Sequence, residues 1–474
     1  MKYSIVVLAS LILLLTGCSG VGPKYSGPPK IQLQDQFTNP NANSGKSSSL
    51  DQWWKELRDP QLNRFIELGL KNNLDLKMAT EKIKIAHARK RSIRANYLPQ
   101  IAANSSFTRT RNSENLEFPF LPGGSGGFIP AEFDQWALES QVGWELDLFG
   151  GGRKEMESFQ SQYVRDQALH DGVKLAIITE ITESYFSIAG LTSQLAALRE
   201  NVQIQSKTLQ MVEDRLQVGS GSRLDVSRAK TRLLSTRSQI PVIESAVFAE
   251  TRAFTILLGL APGELDEEFE SWVSLPNILP MVEAGLPSDL IQRRPDIRAA
   301  EQSLISSNAE IGKAVSSFYP KFYLLGKPQL LSSSAVNLLD SDSFAWQLAP
   351  RIEWQIFTSG RNKAVLEGAK SNYQVDLLAY EKLVKQAFAE VESSIRQLDA
   401  EKRQYNATDE ALKELKESVD LVRMQYQTGT SSLLDYLVEQ QRYTELNQTH
   451  KTRKLSMILS WVRLHKALGG GWNA

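Results

Sequence analysis

The feature that most constrains this 474-residue chain is that its second half repeats the order of its first half. Self-similarity at a fixed offset predicts that one structural unit occurs twice. We therefore expect a first repeat at residues 51–259 and a second repeat at 288–469, with a connecting segment at 260–287. The matching pairs of segments are 73–99 with 294–320, 148–153 with 356–361, 218–225 with 428–435, and 258–259 with 468–469.

Each half contains a stretch in which apolar and polar residues alternate, at 136–148 and at 344–356. Alternation of this kind is typical of a β-strand with two different faces. Each stretch has at least the roughly 10 residues of a tilted membrane strand, with tryptophans near its ends. Pro350 interrupts the second stretch. A half-buried strand of a soluble sandwich would show the same alternation, so the pattern alone leaves both alternatives open.

Partner strands are expected at 101–111 and 321–331, which gives four strands per chain. After the N-terminus, no segment has the roughly 20 consecutive apolar residues of a membrane helix. A membrane barrel needs about eight strands or more, and open strand edges in lipid cost several kcal/mol for each unpaired backbone group. If the chain crosses a bilayer it must therefore oligomerise, although the strands do not give the number of copies.

Each half also predicts a long helix that turns back into a second helix. Residues 153–216 contain no proline, and apolar positions recur there in steps of three and four, as in a coiled coil. About 65 helical residues would extend for roughly 100 Å. The return helices are expected at 224–258 and 434–468. Pro241 should bend or weaken the first of them, whereas the second has Lys451 at the equivalent position.

The two hairpin tips carry matching motifs in which a serine precedes an aspartate by three residues. This is the pattern of a capping box at the start of a helix, and capping alone would explain it. Carboxylates repeated by symmetry at the end of a tunnel would also form an acidic constriction, and leucines beside them an apolar one. The two interpretations are compatible, and the second predicts a gate formed by Leu224, Asp225, Leu434 and Asp435.

The N-terminus predicts an exported lipoprotein. An apolar run at residues 5–15 is too short to span a bilayer and indicates a signal peptide at 1–17. The Leu-Thr-Gly-Cys sequence that ends at Cys18 resembles the lipobox of bacterial lipoproteins. Cys18 is therefore the expected lipidation site, at the start of a linker at 18–50. Ser19, in place of an aspartate, favours the outer membrane, while an ordinary signal peptide with an incidental cysteine is the alternative.

The composition argues against several other classes of protein. The 54 Lys and Arg residues balance 54 Asp and Glu residues, which gives no sign of nucleic-acid binding. The single cysteine excludes an internal disulfide. The four histidines are scattered, and the serines follow no nucleophile-elbow pattern. We therefore expect no metal, no cofactor and no enzymatic activity.

Six short segments of the mature chain, at 21–25, 53–54, 59–62, 73–76, 293–301 and 466–472, carry a family resemblance. Through them the chain resembles the TolC-like outer-membrane efflux family, specifically its OprM-type (NodT-type) lipoprotein branch. This resemblance implies an α+β membrane protein, a homotrimer whose four strands per chain form a 12-stranded β-barrel continuous with a long periplasmic coiled-coil α-barrel. It implies a passive exit duct for drugs or other small toxic compounds, opened on docking of a periplasmic adaptor and an inner-membrane RND pump.

The same resemblance places the hairpin tips at the periplasmic end, where the adaptor docks and the channel closes. It also assigns 260–287 and the tail at 470–474 to an equatorial belt. Family members often carry an acidic residue three positions beyond Asp435, but this chain has Val438. The expected docking residues are Gly219, Ser220, Gly221, Ser222, Gly429, Thr430, Ser431 and Ser432.

Other functions remain open at this point. The duct could serve type I protein secretion or metal-ion efflux, because the sequence does not identify the cargo. A periplasmic coiled-coil adaptor or scaffold lipoprotein would explain the heptads and the lipid, but not the paired tryptophan-bearing strands. A lipoprotein hydrolase would need a cluster of polar residues that the sequence does not offer.

Overall fold

A computed structural model of the protein describes residues 20–31, 37, 50–113, 132–265, 275–276, 279–280, 282 and 289–472. The chain divides into two compact units, and each unit takes segments from both halves of the sequence. The sheet unit comprises Met1–Pro28, Lys84–Val164 and Glu301–Leu378. The helical unit comprises Pro29–Ile83, Arg165–Ala300 and Ala379–Ala474. Cys18 and most of the expected equatorial segment lie outside the described residues.

The described elements follow the same order in both halves: helix, strand, strand, long helix, return helix. The first half contains a 3-10 segment at Leu50–Leu57, then α1 (Pro60–Asn72), α2 (Leu74–Asn96), β1 (Gln100–Arg111), β2 (Glu132–Leu146), α3 (Gly151–Gln217) and α4 (Arg223–Leu257). The second half contains α5 (Asp289–Arg293), α6 (Pro295–Ser316), β3 (Lys321–Ser332), a 3-10 turn at Ser341–Ser343, β4 (Phe344–Glu353), α7 (Arg361–Thr428) and α8 (Leu433–Ala467). We refer to α3 with α4 as hairpin 1 and to α7 with α8 as hairpin 2.

The four strands form one antiparallel sheet in the order β1-β2-β3-β4, so that the two halves meet between β2 and β3. The pairing of β2 with β3 runs over 136–139 and resumes over 142–146. Pro328, which has no N–H to donate, lies opposite the break. Pro350 occupies β4 at the edge of the sheet, the position in which a strand tolerates proline best. The predicted strand ends need correction, because β2 stops at Leu146 and β4 at Glu353.

The long helices confirm the predicted hairpins, since α3 has 67 residues and α7 has 68. Glycines in the left-handed conformation end both of them, Gly219 with φ 78° and Gly429 with φ 80°. The same device recurs where the return helices end, at Gly259 and Gly469, with φ 72° and 74°. α4 continues through Pro241 from Arg223 to Leu257.

The core of the helical unit contains a cluster of aromatic side chains from both ends of the described chain. Trp53 and Trp461 are fully buried, with ring centroids 5.5 Å apart. His465 is stacked on Trp53 at 4.9 Å and meets Trp461 edge to face at 4.2 Å. Rings of this size remove large apolar areas from water, so this cluster is a main source of stability for the unit.

The C-terminal segment is anchored by the arginine pair at 293–294. The Trp472 indole donates to the carbonyl oxygen of Arg293 at 2.8 Å, and the Arg298 guanidinium lies 4.7 Å from the centroid of the Trp472 ring system. Arg294 donates to the Ala467 carbonyl oxygen at 2.9 Å and forms an ion pair with Glu390 at 2.7 Å. Two of the segments that carry the family resemblance therefore pack on each other.

Candidate functional site: the two-faced sheet and the hairpin tips

One face of the sheet is apolar and exposed in the single chain. Residues directly opposite one another in the register share a face, which groups alternate residues of all four strands. Aromatic and aliphatic side chains cover this face from the level of Trp136 to the helix end of the strands, and exposed or partly exposed surface of this kind needs an apolar environment. Beyond Trp136, near the loops, the same face carries the charged residues Arg109, Arg111, Glu132 and Asp134. The apolar face includes Phe107, Trp136, Leu138, Val142, Trp144, Phe322, Leu324, Leu330, Phe344, Trp346, Leu348 and Ile352.

Tryptophans lie at several levels of this face. Trp136 lies near the loop end of β2 and Trp144 near its helix end, about 26 Å away along the strand, while Trp346 of β4 lies between these levels, opposite Pro328. The Trp144 indole donates to the Tyr97 carbonyl oxygen at 3.0 Å, and the Trp354 indole donates to the Phe318 carbonyl oxygen at 3.1 Å. The spacing matches the apolar band of a membrane strand between two aromatic girdles.

The opposite face is polar. β1 contributes only uncharged side chains there, among them Asn104, Ser106 and Thr108. The other three strands contribute three acidic and three basic residues, Glu139, Glu145, Glu353, Lys321, Lys327 and Arg351. One apolar and one polar face per sheet is the arrangement of a membrane strand that faces lipid on one side and water on the other.

The bend from β2 into α3 is fixed by one carboxylate. Asp147 accepts hydrogen bonds from the N–H groups of Gly152 at 3.0 Å and Arg153 at 2.8 Å, which satisfies two free donors at the start of α3. Gly150 makes the turn with φ 80°. Asp147 therefore caps α3, and Gly150 makes the turn between the strand and the helix.

The first described segment of the chain packs beside this bend. The Val21 N–H donates to the Phe149 carbonyl oxygen at 3.0 Å, and the Asn308 amide donates to the Pro23 carbonyl oxygen at 3.4 Å. Gly22 lies so close to Gly312 that a Cβ on Gly22 would be 2.5 Å from the Gly312 Cα. Residue 20 is thereby held near the helix end of the sheet, where a membrane surface would lie.

The predicted docking residues form two tight turns of the same design. At the tip of hairpin 1, the Ser220 N–H donates to the Arg215 carbonyl oxygen at 2.9 Å, and the Gly219 N–H donates to the Leu216 carbonyl oxygen at 3.1 Å. In hairpin 2, Thr430 donates to Gln425 at 2.9 Å and Gly429 to Tyr426 at 3.2 Å. Both are Schellman motifs.

The two aspartates predicted for the gate are held differently. Asp435 completes a capping box with Ser432: its carboxylate accepts from the Ser432 N–H at 3.1 Å and the Ser432 hydroxyl at 2.6 Å, and from the Ser431 hydroxyl at 3.2 Å. These hydrogen bonds lower the pKa of Asp435, those from Ser432 most. Ser222 accepts instead from the Leu224 N–H at 3.1 Å, and Asp225 faces Arg228 at 3.8 Å. A capping box is therefore formed only in hairpin 2, because Asp225 turns toward its own helix.

The two leucines predicted for the gate are exposed, with 57% of Leu224 and 49% of Leu434 accessible in the single chain. Both side chains are therefore free to contact a neighbouring chain or to line a tunnel. Leu433 is buried at 4%, whereas Arg223 at the equivalent position is exposed. Leu433 packs in a small cluster with Val212, Tyr426, Tyr436 and Leu437.

Arg215 ties the two tips together, a contact that the sequence interpretation missed. Its guanidinium donates to the carbonyl oxygens of Tyr426 at 3.1 Å and Gln427 at 3.4 Å, and lies 4.4 Å from the Tyr426 ring centroid. Cations favour the carbonyl end of a helix. Because Gln425 stands at the equivalent position of hairpin 2, comparison of the halves would have singled Arg215 out.

Among the described residues, none of the helices is both long and apolar enough to cross a membrane. The same residues offer no group of three or more His, Cys, Asp and Glu side chains arranged to hold a metal ion.

The comparison with known proteins agrees with this geometry. The family model described as outer membrane efflux protein matches residues 65–259 and 286–470, and the chain belongs to this family. The chain is 30% identical over 469 residues to the solvent efflux pump outer membrane protein SrpC of Pseudomonas putida, which covers 98% of this chain and 97% of the relative. It is 29% identical over 464 residues to the cation efflux system protein CusC of Escherichia coli, with 97% of both chains covered.

A solved structure shows the same fold. The open state of the MtrE outer membrane channel of Neisseria gonorrhoeae superposes with a TM-score of 0.84 at 27% identity, over 96% of this chain and 99% of that chain. The predicted fold class, with four strands and two long helical hairpins per chain, is thereby confirmed.

Proposed function

We propose that three copies of this chain form the outer-membrane channel of a tripartite, RND-type efflux system. The channel is a passive exit duct for drugs or other small toxic compounds, and it opens when a periplasmic adaptor and an inner-membrane pump dock on it. One observation carries the proposal: a four-stranded sheet with one apolar and one polar face, whose outer strands β1 and β4 each have an edge without a strand partner among the described residues.

The free edges support the trimer. In lipid, an unpaired strand edge leaves backbone N–H and C=O groups without partners, at several kcal/mol for each group. Pairing β4 of one chain with β1 of the next satisfies both edges, and three chains close a sheet of about 12 strands. The apolar face then contacts lipid and the polar face lines water.

The hairpin tips provide the periplasmic end of the duct. In this proposal the turns at Gly219 and Gly429 with their following residues contact the adaptor, and Leu224, Asp225, Leu434 and Asp435 narrow the entrance. The exposure of both leucines and of the Asp435 carboxylate supports this role. No bond is made or broken in a duct of this kind, so the chain acts without catalysis.

Cys18 carries the lipid anchor in this proposal. The packing of Val21 and Pro23 at the helix end of the sheet supports it, because a lipid two residues before Gly20 would lie near the bilayer surface. The protein is thus held in the outer membrane both by strands and by a lipid. A Cys18→Ser chain should still insert and conduct, but more of it should remain in the periplasm.

Single-channel recording in planar bilayers tests the duct. The purified trimer should conduct, and Asp435→Ala should raise the conductance and the leakage of antibiotics into cells. Asp435→Asn, which removes the charge but keeps an acceptor, separates the gate from the helix cap. The matched control is Asp399→Ala, which removes an exposed carboxylate that pairs with Arg403 at 3.1 Å, one helical turn along α7.

The outcomes distinguish the parts of the proposal. Absence of conductance from both the wild type and Asp435→Ala would contradict the duct itself. Conductance with unchanged leakage in both Asp435 variants would leave the duct in place and reduce Asp435 to a capping residue.

A further inference from the structure

The polar face of the sheet carries six charged residues whose charges cancel. Along β2, β3 and β4 these are Glu139, Glu145, Glu353, Lys321, Lys327 and Arg351. Lys321 contacts Glu145 at 3.2 Å, near the helix end of the strands, and Arg351 contacts Glu353 at 3.2 Å. Lys327 forms an ion pair with Glu139.

The Glu139–Lys327 pair differs from the other two in its position. Glu139 lies at the middle of β2 and Lys327 near the middle of β3, while the other pairs lie close to the strand ends. Its side chains are also the most sheltered of the three, at 19% exposed for Glu139 and 33% for Lys327. The pair is diagonal across the register, at the break beside Pro328.

A charged side chain at mid-depth of a membrane strand is costly unless it faces water or a partner of opposite charge. Glu139 and Lys327 meet both conditions, because they share the polar face and contact each other. Fixed charges that line a pore select ions by sign when they are unpaired. A closely paired acid and base cancel at the distance of a passing solute.

On the basis of the proposed function, we propose that Glu139 and Lys327 form a charge-neutral collar at mid-height of the duct. Three copies place three such pairs around the passage. The collar presents charged, hydrated groups to the lumen without favouring either sign, so that neutral, zwitterionic and singly charged small molecules cross this level equally well. Lys327 and Glu139 are thus determinants of specificity, because each neutralises the charge that the other would present to a passing solute.

The proposal makes opposite predictions for the two single substitutions. Lys327→Met leaves three unpaired carboxylates at one level, and Glu139→Gln leaves three unpaired ammonium groups. A unit charge within several ångströms of the passage in water changes the local concentration of a monovalent ion about threefold. Because a fixed charge raises the local concentration of one ion and lowers that of the other by this factor, the cation-to-anion permeability ratio should rise about ninefold in Lys327→Met and fall about ninefold in Glu139→Gln.

The ratio is obtained from the reversal potential in a potassium chloride gradient across a planar bilayer. The control is Gln347→Met, which alters the residue opposite Lys327 on the same face without changing charge. The double variant Lys327→Met with Glu139→Gln should return to the wild-type ratio. Single variants that behave like Gln347→Met, or a double variant that keeps the shift of either single variant, would overturn the collar.

A second measurement does not depend on conductance. Gln347→Cys places a reactive thiol beside the pair, and cationic and anionic thiol reagents of equal size report the local potential through their reaction rates. Removing Lys327 should raise the ratio of cationic to anionic rates about ninefold. An unchanged ratio of reaction rates would contradict the collar. If the thiol rates shift but the trimer does not conduct in the first experiment, the collar stands and the open duct is contradicted.

Discussion

Hairpins 1 and 2 share a plan but differ in what holds them. Their terminal glycines and their return helices correspond residue by residue at an offset of 210, and their long helices differ by one residue in length. Hairpin 1 has Pro241 in its return helix and an arginine, Arg215, that reaches across to the other tip. Hairpin 2 has Lys451 in place of Pro241, a complete capping box at its tip, and a buried histidine, His465, near the end of its return helix. Duplication thus preserved the backbone, while the polar contacts that lock it became specific to each copy.

The largest effect should come from giving hairpin 2 the proline of hairpin 1. Lys451 donates to the Ser193 carbonyl oxygen at 3.0 Å through its ammonium group. Lys451→Pro removes this contact and a helical N–H, and should destabilise α8 locally by about 3 kcal/mol. Hydrogen exchange of the amides at 444–458 measures this local loss of stability. Lys451→Met, which keeps the N–H, should cost about 1 kcal/mol, and equal protection in both variants would contradict the backbone explanation.

The next effect is a pH dependence confined to hairpin 2. Burial lowers the pKa of His465 to about 3, whereas an imidazole in the unfolded chain titrates near 6.5. The unfolded state therefore binds the proton first, so stability is full above pH 6.5 and falls by up to about 1.4 kcal/mol per pH unit below it. This amounts to about 2 kcal/mol at pH 5. Thermal unfolding of the trimer between pH 7.5 and 5 should show it.

Two variants separate the sources of this pH dependence. Hairpin 1 has Thr255 at the equivalent position, where its hydroxyl donates to the Thr251 carbonyl oxygen at 2.8 Å. His465→Leu should remove most of the acid destabilisation. His450→Ile should retain the larger part, because the lowering of the His450 pKa by burial is opposed by Asp409. If His465→Leu leaves the pH profile unchanged, the buried imidazole is not responsible.

Removal of the tie between the tips should have a smaller effect. Arg215→Ala loses two hydrogen bonds to carbonyl groups and the contact with Tyr426, together about 1–2 kcal/mol for a half-buried side chain. Amides at 424–430 should exchange faster as a result. The matched variant Gln425→Ala should leave amide exchange at the tip of hairpin 1 unchanged. If both variants change amide exchange at the tips equally, the tips do not depend on Arg215.

The smallest effect distinguishes the two caps. Ser432→Ala should cost hairpin 2 about 1 kcal/mol, and Ser222→Ala should cost hairpin 1 about 0.5 kcal/mol, because only Ser432 forms a reciprocal box. Hydrogen exchange of the amides in the first turns of α4 and α8 measures both losses of stability. Since hydrogen bonds lower the pKa of Asp435, its contribution should persist down to pH 4 and disappear only as the carboxylate is protonated at lower pH.

Periodicity was sufficient to predict the elements of this fold. Alternation located the strands and steps of three and four located the long helices, because each pattern records which face of an element is apolar. The ends were less accurate: β2 was placed too far along the chain because Asp147 continues the alternation but turns to cap α3. A carboxylate in a strand pattern and a carboxylate in a cap look alike in sequence.

The contacts of the candidate site were less predictable. Ser222 and Ser432 have the same motif, but Asp225 turns toward Arg228 and only Asp435 turns back to its serine. The tie from Arg215 and the pairing of Glu139 with Lys327 join residues far apart in sequence. Such contacts depend on register and on the packing of elements, which local patterns do not record.

The contact of Gly22 with Gly312 has a consequence for the order of assembly. The first described segment, around Gly22, fits against α6, which belongs to the second half of the chain and therefore follows it in synthesis and export. In the same way, β2 can pair with β3 only after the second half of the chain has been exported. An early chain would therefore wait in the periplasm with residues 20–23 undocked and with β1 and β2 lacking the partner strand β3. The sheet should close late, in a single long-range step, and the waiting intermediate is the form most exposed to aggregation and proteolysis.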